Sequence, residues 1–299
     1  MTYSIVARDP DSGQFGVAVQ TCWFSVGAIV PWAVAGVGAV ATQAMVEVAY
    51  GPRCLERLVA GADAGSALDE VRAGDEGSAL RQVAVVDGAG QVSAFTGALC
   101  IDYAGHRTGQ GYSVQANMMA STAVWPAMAE AYETGTGSFP ERLLGVLRAG
   151  ERAGGDARGA MSAAMLIVKG DRQEHPWEGK VTDVRVDHDD RPLDELGRLL
   201  VVADAFERID RSEDALFAGD PAGALREVET ALGRLPGDEN GRFLRAGALL
   251  VSGRTDAALD ELRSLIAGRP SWGIVIRSFA EKELLPIPDG VDIDDLTGT

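Results

Sequence analysis

Short apolar runs rich in valine, isoleucine and alanine, broken by glycine, proline, serine and aspartate, fill the first two thirds of the chain. Residues 3–8 (YSIVAR) and Phe15–Thr21 (FGVAVQT) are two such runs, and the DPDSGQ link between them has the composition of a hairpin turn. A third, glycine-rich strand lies in GVGAVATQAMV. The next stretch, YGPRCLERLVAG, has helical spacing and ends at Gly61; ADAGSALDEVRAG repeats the pattern and ends near Gly74. A strand pair then surrounds the turn at residues 87–90, and YSVQANMM is a further strand. Helices near 124–133 and 139–149 follow, and AAMLIVKG and VTDVRVD close the strand series. Strands in antiparallel-looking pairs, with helices grouped between them, predict an α+β layered fold. Seven or eight strands and four helices would build two sheets between helical layers.

From Pro192 onward the pattern is helical throughout. Gly219 recurs at Gly253, Ala224 and Leu225 at Ala258 and Leu259, Glu227 at Glu261, and Pro236 at Pro270, each 34 residues apart. That is the period of the tetratricopeptide repeat, and two units fit, at about 205–238 and 239–272. The expected division is therefore an α+β domain over 1–190 and a small all-α, tetratricopeptide-like domain over 191–299.

Charge narrows the partners. The 299 residues carry a net charge of −17, of which −9 falls in 192–299, so acidity is spread along the chain. A uniformly acidic surface repels phosphate backbones, and no nucleic-acid partner is expected. No apolar run reaches the length of a membrane span and the N-terminus lacks the pattern of a signal peptide, which predicts no membrane partner and a cytoplasmic protein. Cys22, Cys54 and Cys100 lie far apart, as do His106, His175 and His188, so neither a metal site nor a disulfide framework is expected. No phosphate-cradling glycine motif is present.

Four places carry candidate chemistry. Thr2, once Met1 is removed, has a free amine and a hydroxyl, the two groups of an N-terminal threonine nucleophile; as an ordinary β-branched residue it merely starts a strand. In AGGDARGAMSAAMLIV, Asp156, Arg158 and Ser162 stand where a helix gives way to a buried strand, either as an orienting polar cluster or as a surface ion pair. In AGHRTGQGYSVQANMM, His106 and Arg107 lie in a glycine-rich loop, and Gln115 and Asn117 share one face of a strand. Their amides can grip a substrate or satisfy buried backbone groups. Cys22 is a rival nucleophile, or a small buried apolar residue.

The segments SIVARDPDSGQFGVAVQT, WFSVGAIVPWAVAGVGAVATQA, YGPR, AFTGALC, GHRTGQGYSVQANMM and GGDARGAMSAAMLIV resemble, in this order over roughly residues 2–190, the DUF1028 family of bacterial proteins. The resemblance implies the N-terminal-nucleophile (Ntn) hydrolase-like fold, a four-layer αββα sandwich. It also implies hydrolysis of an amide C–N bond, with Thr2 as nucleophile. In that reading Asp156 and Ser162 orient the amine and a water, while His106, Arg107, Gln115 and Asn117 line the substrate pocket. No cofactor and no metal are called for, and the substrate is a small-molecule or peptide amide. An incomplete repeat and the Ntn fold both point to a homo-oligomer. Proteasome-type threonine hydrolases keep a lysine near the nucleophile, whereas this chain has none before Lys169. The alternative is a non-catalytic ligand-binding or assembly protein on the same scaffold, with the helical tail as its interaction module.

Overall fold

In the computed structural model of the chain, residues 2–287 and 291–297 are described. The chain divides into two compact units, the first running to Leu200 and the second beginning at Val201.

The first unit holds two antiparallel sheets. The six-stranded sheet has β1 (Thr2–Arg8), β2 (Phe15–Thr21), β7 (Gly105–Gly109), β8 (Tyr112–Asn117), β9 (Ser162–Val168) and β10 (Lys180–Val186), in the order β10-β9-β2-β1-β8-β7. The four-stranded sheet is β3 (Pro31–Val34), β4 (Gly38–Ala44), β5 (Arg81–Asp87) and β6 (Val92–Thr96), in sequence order. Strand alternation sends each residue of β1 to one of two sides. Tyr3, Ile5 and Ala7 enter a core with Met128, Leu143 and Leu147, from the helices α3 (Val124–Thr134) and α4 (Phe139–Arg152). Val6 enters the core between the sheets, with Val17, Val19, Ala39, Ala41, Ala84 and Val86. A third core packs Val40, Val83 and Val85 of the smaller sheet on Leu55, Leu58 and Leu68 of α1 (Tyr50–Val59) and α2 (Ala64–Ala73). Three cores between four layers make an α+β sandwich of αββα order.

Local chemistry sets several boundaries. Asp63 caps α2 by accepting from the Ser66 N–H at 2.7 Å. Ser138 and Glu141 form a reciprocal capping box at the start of α4. Gly36 takes φ +68° where the chain crosses backbone: a Cβ there would lie 2.2 Å from the Arg172 nitrogen.

Ten strands are present among the described residues, against the seven or eight expected. β3 escapes the pattern because it is four residues long and opens on proline. β7 (GHRTG) has glycine at both ends and an exposed middle, so it reads as a loop, yet it pairs with β8 from Gly105↔Ala116 to Gly109↔Tyr112 as the edge strand. His106 and Arg107 therefore lie on a strand and not in a glycine-rich loop.

Helix α5 (Pro192–Phe217) runs into the second unit, where α6 (Pro221–Arg234), α7 (Glu239–Val251), α8 (Thr255–Gly268) and α9 (Trp272–Glu281) follow. The 34-residue spacing has a structural counterpart. Gly219 and Gly253 both leave a helix in the left-handed conformation, at φ 76° and 74°. The ion-pair cluster of Arg208 and Arg211 with Glu227 recurs as Arg242 and Arg245 with Glu261. Among the described residues no helix is long and apolar enough to cross a membrane.

Candidate functional site

Thr2 opens β1 in the middle of the larger sheet, paired with Thr21 on β2 and with Asn117 on β8. Ser162 continues the row beyond Thr21, so four polar residues stand abreast across β8, β1, β2 and β9. The Thr2 side chain lies on the face toward the smaller sheet and is nearly covered, the residue being 6% exposed. Its hydroxyl donates to Thr21 Oγ1 at 3.3 Å.

Facing this row from the smaller sheet are Gln43 on β4 and Gln82 on β5, both fully buried. Gln43 Nε2 donates to the Thr2 carbonyl at 3.2 Å and to Gln82 Oε1 at 2.7 Å, while its Oε1 accepts from Ser4 Oγ at 2.7 Å. Asn117 Nδ2 also donates to the Thr2 carbonyl, at 3.2 Å, and to Gln82 Oε1 at 2.9 Å. Gln82 Nε2 reaches the Ala116 carbonyl at 2.9 Å and Thr96 Oγ1 at 2.9 Å. Gln115 donates to Ser4 Oγ at 2.6 Å and accepts from Ser113 Oγ at 2.9 Å. These bonds form a closed layer of neutral amides joining the two sheets, and two of them grip the backbone of Thr2. In a low dielectric such a network is rigid only when its members are paired.

Asp156 stands at the other side of Thr2. Its Oδ2 accepts from the backbone N–H of Cys22, one residue past Thr21, at 3.1 Å. Its backbone bridges to Met119, two residues past Asn117. The carboxylate thus sits between the ends of β2 and β8, the strands that flank the start of β1. Asp156 Oδ1 takes the Arg158 N–H at 2.9 Å, and the Arg158 guanidinium lies 3.6 Å away on the exposed side. Ser162 is turned to the loop: its hydroxyl donates to the Trp23 carbonyl at 2.5 Å and accepts from the Val26 N–H at 3.1 Å. It holds the turn after Cys22 in place. Burial, and then the field of Asp156, push the Cys22 thiol above its ordinary range, which leaves it protonated at neutral pH.

The remaining predicted residues separate. His106 Nδ1 lies 2.8 Å from Thr96 Oγ1, at the far end of the amide layer, and burial lowers its pKa. Arg107 faces the opposite side of β7, where its guanidinium pairs with Glu133 of α3 at 3.2 Å. The structure brings Thr2, Asn117, Asp156 and Ser162 together, places Gln115 one alternation deeper in the amide layer, and does not bring Arg107 to Thr2. Four of the five non-glycine residues with left-handed backbone among the described residues crowd this end of the sandwich: Ser25, Ala44, Tyr103 and Met118. Such strain is held only where surrounding bonds fix it. Among the described residues no group of three His, Cys, Asp or Glu could hold a metal ion.

The family model described as a family of unknown function, DUF1028, matches residues 2–196. The chain belongs to the DUF1028 family. A crystal structure of protein SPO2555 from Silicibacter pomeroyi, of the same family, is similar to this DUF1028 protein at 34% identity and a TM-score of 0.61. The similarity covers 68% of this chain and 88% of that one. No curated protein matches the chain. The matched stretch contains Thr2, Asp156 and the whole amide layer, and it ends inside α5, before the second unit begins.

Gln43 and Gln82 complete the layer and are not among the residues the sequence singles out. Each is a lone glutamine at one end of a valine- and alanine-rich strand, GAVATQA and RQVAVVD. A buried glutamine in such a run calls for a polar partner across the layer.

Proposed function

We propose that this DUF1028 protein hydrolyses an amide C–N bond, with Thr2 as its nucleophile once Met1 is removed. Met1 itself lies outside the described residues. The observation that carries the reading is the position of Thr2: it begins a central strand, its carbonyl is gripped by two buried amides, and Asp156 is held between the ends of the two strands that flank it. The freed amine, oriented by Asp156, takes the hydroxyl proton directly or through a water. The oxygen attacks the amide carbonyl, the C–N bond breaks with the proton passing to the leaving amine, and water hydrolyses the resulting ester. Asn117 and Gln43 are positioning residues, holding the backbone of the nucleophile. In this reading the αββα sandwich is of the Ntn type, and the second unit is a tetratricopeptide-like interaction module. The protein works in the cytoplasm as a homo-oligomer on a small-molecule or peptide amide, with no nucleic-acid partner.

A second reading, a non-catalytic binding or assembly protein, is favoured by the absence of lysine from the first 168 residues. Intact mass with N-terminal sequencing, followed by an amide substrate screen on wild type and Thr2→Ala, separates the two. Threonine at the N-terminus with hydrolysis lost in Thr2→Ala supports the nucleophile. Retained Met1, or equal rates in the two proteins, overturns it. Cys22→Ala should keep its rate and iodoacetamide should leave wild type active, because the Thr2 hydroxyl and not the Cys22 thiol makes the attack.

A further inference from the structure

Three loops leave the strands at the Thr2 end of the sandwich, and each exposes large apolar side chains. Trp23 and Phe24 follow β2, Met45 follows β4, and Leu99, Ile101 and Tyr103 lie between β6 and β7; all six are more than half exposed. Each stands within three residues of the amide layer or is bonded beside it. Trp23 is two residues past Thr21, Met45 two past Gln43, Leu99 three past Thr96 and Tyr103 three before His106. The Ile101 carbonyl accepts from the N–H of Met118, next to Asn117, at 3.2 Å.

Backbone bonds hold these loops. Met119 donates to the Tyr103 carbonyl at 3.3 Å, Leu99 to the Ala79 carbonyl at 2.8 Å and Met45 to the Leu80 carbonyl at 3.3 Å. Arg81 Nη1 adds a bond to the Met45 carbonyl at 2.7 Å. Charge is sparse in the same stretches, where Asp102, between Ile101 and Tyr103, is exposed. None of Asp, Glu, Lys, Arg or His occurs between Asp11 and Glu47, between Asp87 and Asp102, or between Arg107 and Glu130. In a chain with 24% charged residues, this leaves a largely apolar rim around one end of the sandwich.

We propose that this rim is the acyl-recognition surface of the Thr2 site, and that the amides it takes carry an uncharged, apolar acyl group at the carbonyl to be attacked. The inference rests on Thr2 acting as nucleophile. An anionic acyl group would meet the exposed Asp102 carboxylate between Ile101 and Tyr103, while the nearby guanidiniums of Arg81 and Arg158 are paired with Asp75 and Asp156. An aliphatic or aromatic chain would be drawn from water by the six side chains, each added methylene contributing about fourfold in affinity or rate.

The test uses para-nitroanilides of straight-chain acids from acetyl to octanoyl, together with the anionic succinyl anilide, on the full chain. In wild type, kcat/KM should climb about fourfold per methylene, and the succinyl compound should trail the butyryl one. The slope should flatten in Leu99→Ser and in Phe24→Ser, both at exposed positions where the fold is undisturbed. A flat series in wild type, or a slope unchanged in both variants, overturns the proposal. Binding of octanamide to the Thr2→Ala protein, followed by calorimetry, keeps the rim separate from the chemistry. If no anilide is cleaved, the nucleophile reading fails; tight octanamide binding that is lost in Leu99→Ser still supports the rim, and no binding overturns it. If Leu99→Ser instead turns an oligomer into a monomer in the centrifuge with the chain-length slope intact, the rim is a self-association face and the proposal is wrong.

Discussion

Asp156 accepts the backbone N–H of Cys22 through Oδ2 at 3.1 Å, so one carboxylate fixes the end of β2 next to the start of β1. Its other oxygen takes the Arg158 N–H. Asp156→Ala leaves the half-buried Cys22 N–H without its acceptor, a loss of about 1–3 kcal/mol. Urea unfolding should register that loss. Amide hydrolysis should fall further than the stability change explains, and Asp156→Asn should recover stability ahead of rate. A wild-type rate in Asp156→Ala would remove Asp156 from the mechanism.

The Gln43–Gln82 bond offers a cleaner measurement of the amide layer. Gln43→Leu or Gln82→Leu alone orphans buried polar groups, at about 1–3 kcal/mol for each group left without a partner. The double variant removes both ends of the bond together and should lose less than the sum, by about 0.5–3 kcal/mol. Strictly additive losses in a denaturant double-mutant cycle would show that the two amides are not coupled.

Tyr3 carries the opposite expectation. It faces the helices from the residue next to Thr2, is fully buried, and its hydroxyl has no hydrogen-bond partner among the described residues. Burial, with Glu151 and Asp156 nearby, raises its pKa and keeps it neutral. Tyr3→Phe removes an unpaired polar atom and should leave the protein as stable or more stable, by up to about 1 kcal/mol. A clear drop in melting temperature would mean that the hydroxyl has a partner in solution.

Acid should loosen the rim through Asp75. The Arg81 hydrogen bond, with further bonds from the Gly77 N–H and the Tyr50 hydroxyl, holds the Asp75 carboxyl below its ordinary range. A carboxyl with a lowered folded pKa adds stability above its unfolded value, and that contribution is lost as the pH falls through the folded one. Asp75→Asn should therefore flatten the decline in stability below the usual carboxylate range, seen in melting curves taken from neutral pH downward. Unchanged steepness would exclude the Asp75–Arg81 pair as its source.

In the second unit the two versions of the repeated ion-pair cluster differ in cover. The Glu261 side chain is 10% exposed and that of Glu227 33%. Glu261→Gln should weaken the unit by about 1.5–3 kcal/mol. Glu227→Gln should stay within about 1 kcal/mol, since its pair is better solvated. Amide hydrogen exchange in α6, α7 and α8 reads both, and equal effects would contradict the ranking.

Several of these features were legible in the sequence. The hairpin of β1 and β2, the helices α1 to α4 and the switch to helix at Pro192 follow from runs and turn residues that act locally. The 34-residue period marks Glu227 and Glu261, and the arginines that pair with them, Arg208 and Arg211, then Arg242 and Arg245, keep the same spacing. What stayed hidden depends on the other sheet. Gln115 and Asn117 share a face, as the period of two requires, but nothing in YSVQANMM says that the face meets Gln43 and Gln82. Ser162 lies six positions after Asp156 and turns instead to Trp23, because the loop after β2 folds over it. Arg107 lies next to His106 and goes to the opposite side of the sheet, a consequence of β7 being a strand.

The amide layer also bears on how this protein can change over generations. Above it the sheets meet through valine and alanine, surfaces on which apolar substitutions of similar volume are tolerated one at a time. At Thr2 the same sheets are pinned by donors and acceptors that count each other, and a one-residue slip of any strand would turn its amide away from the layer. A lone replacement of Gln43, Gln82 or Asn117 strands its neighbours, so changes at this end lose least stability when they come as matched sets. The end of the sandwich that holds Thr2 is thus expected to change in coupled steps, while the rest can drift residue by residue.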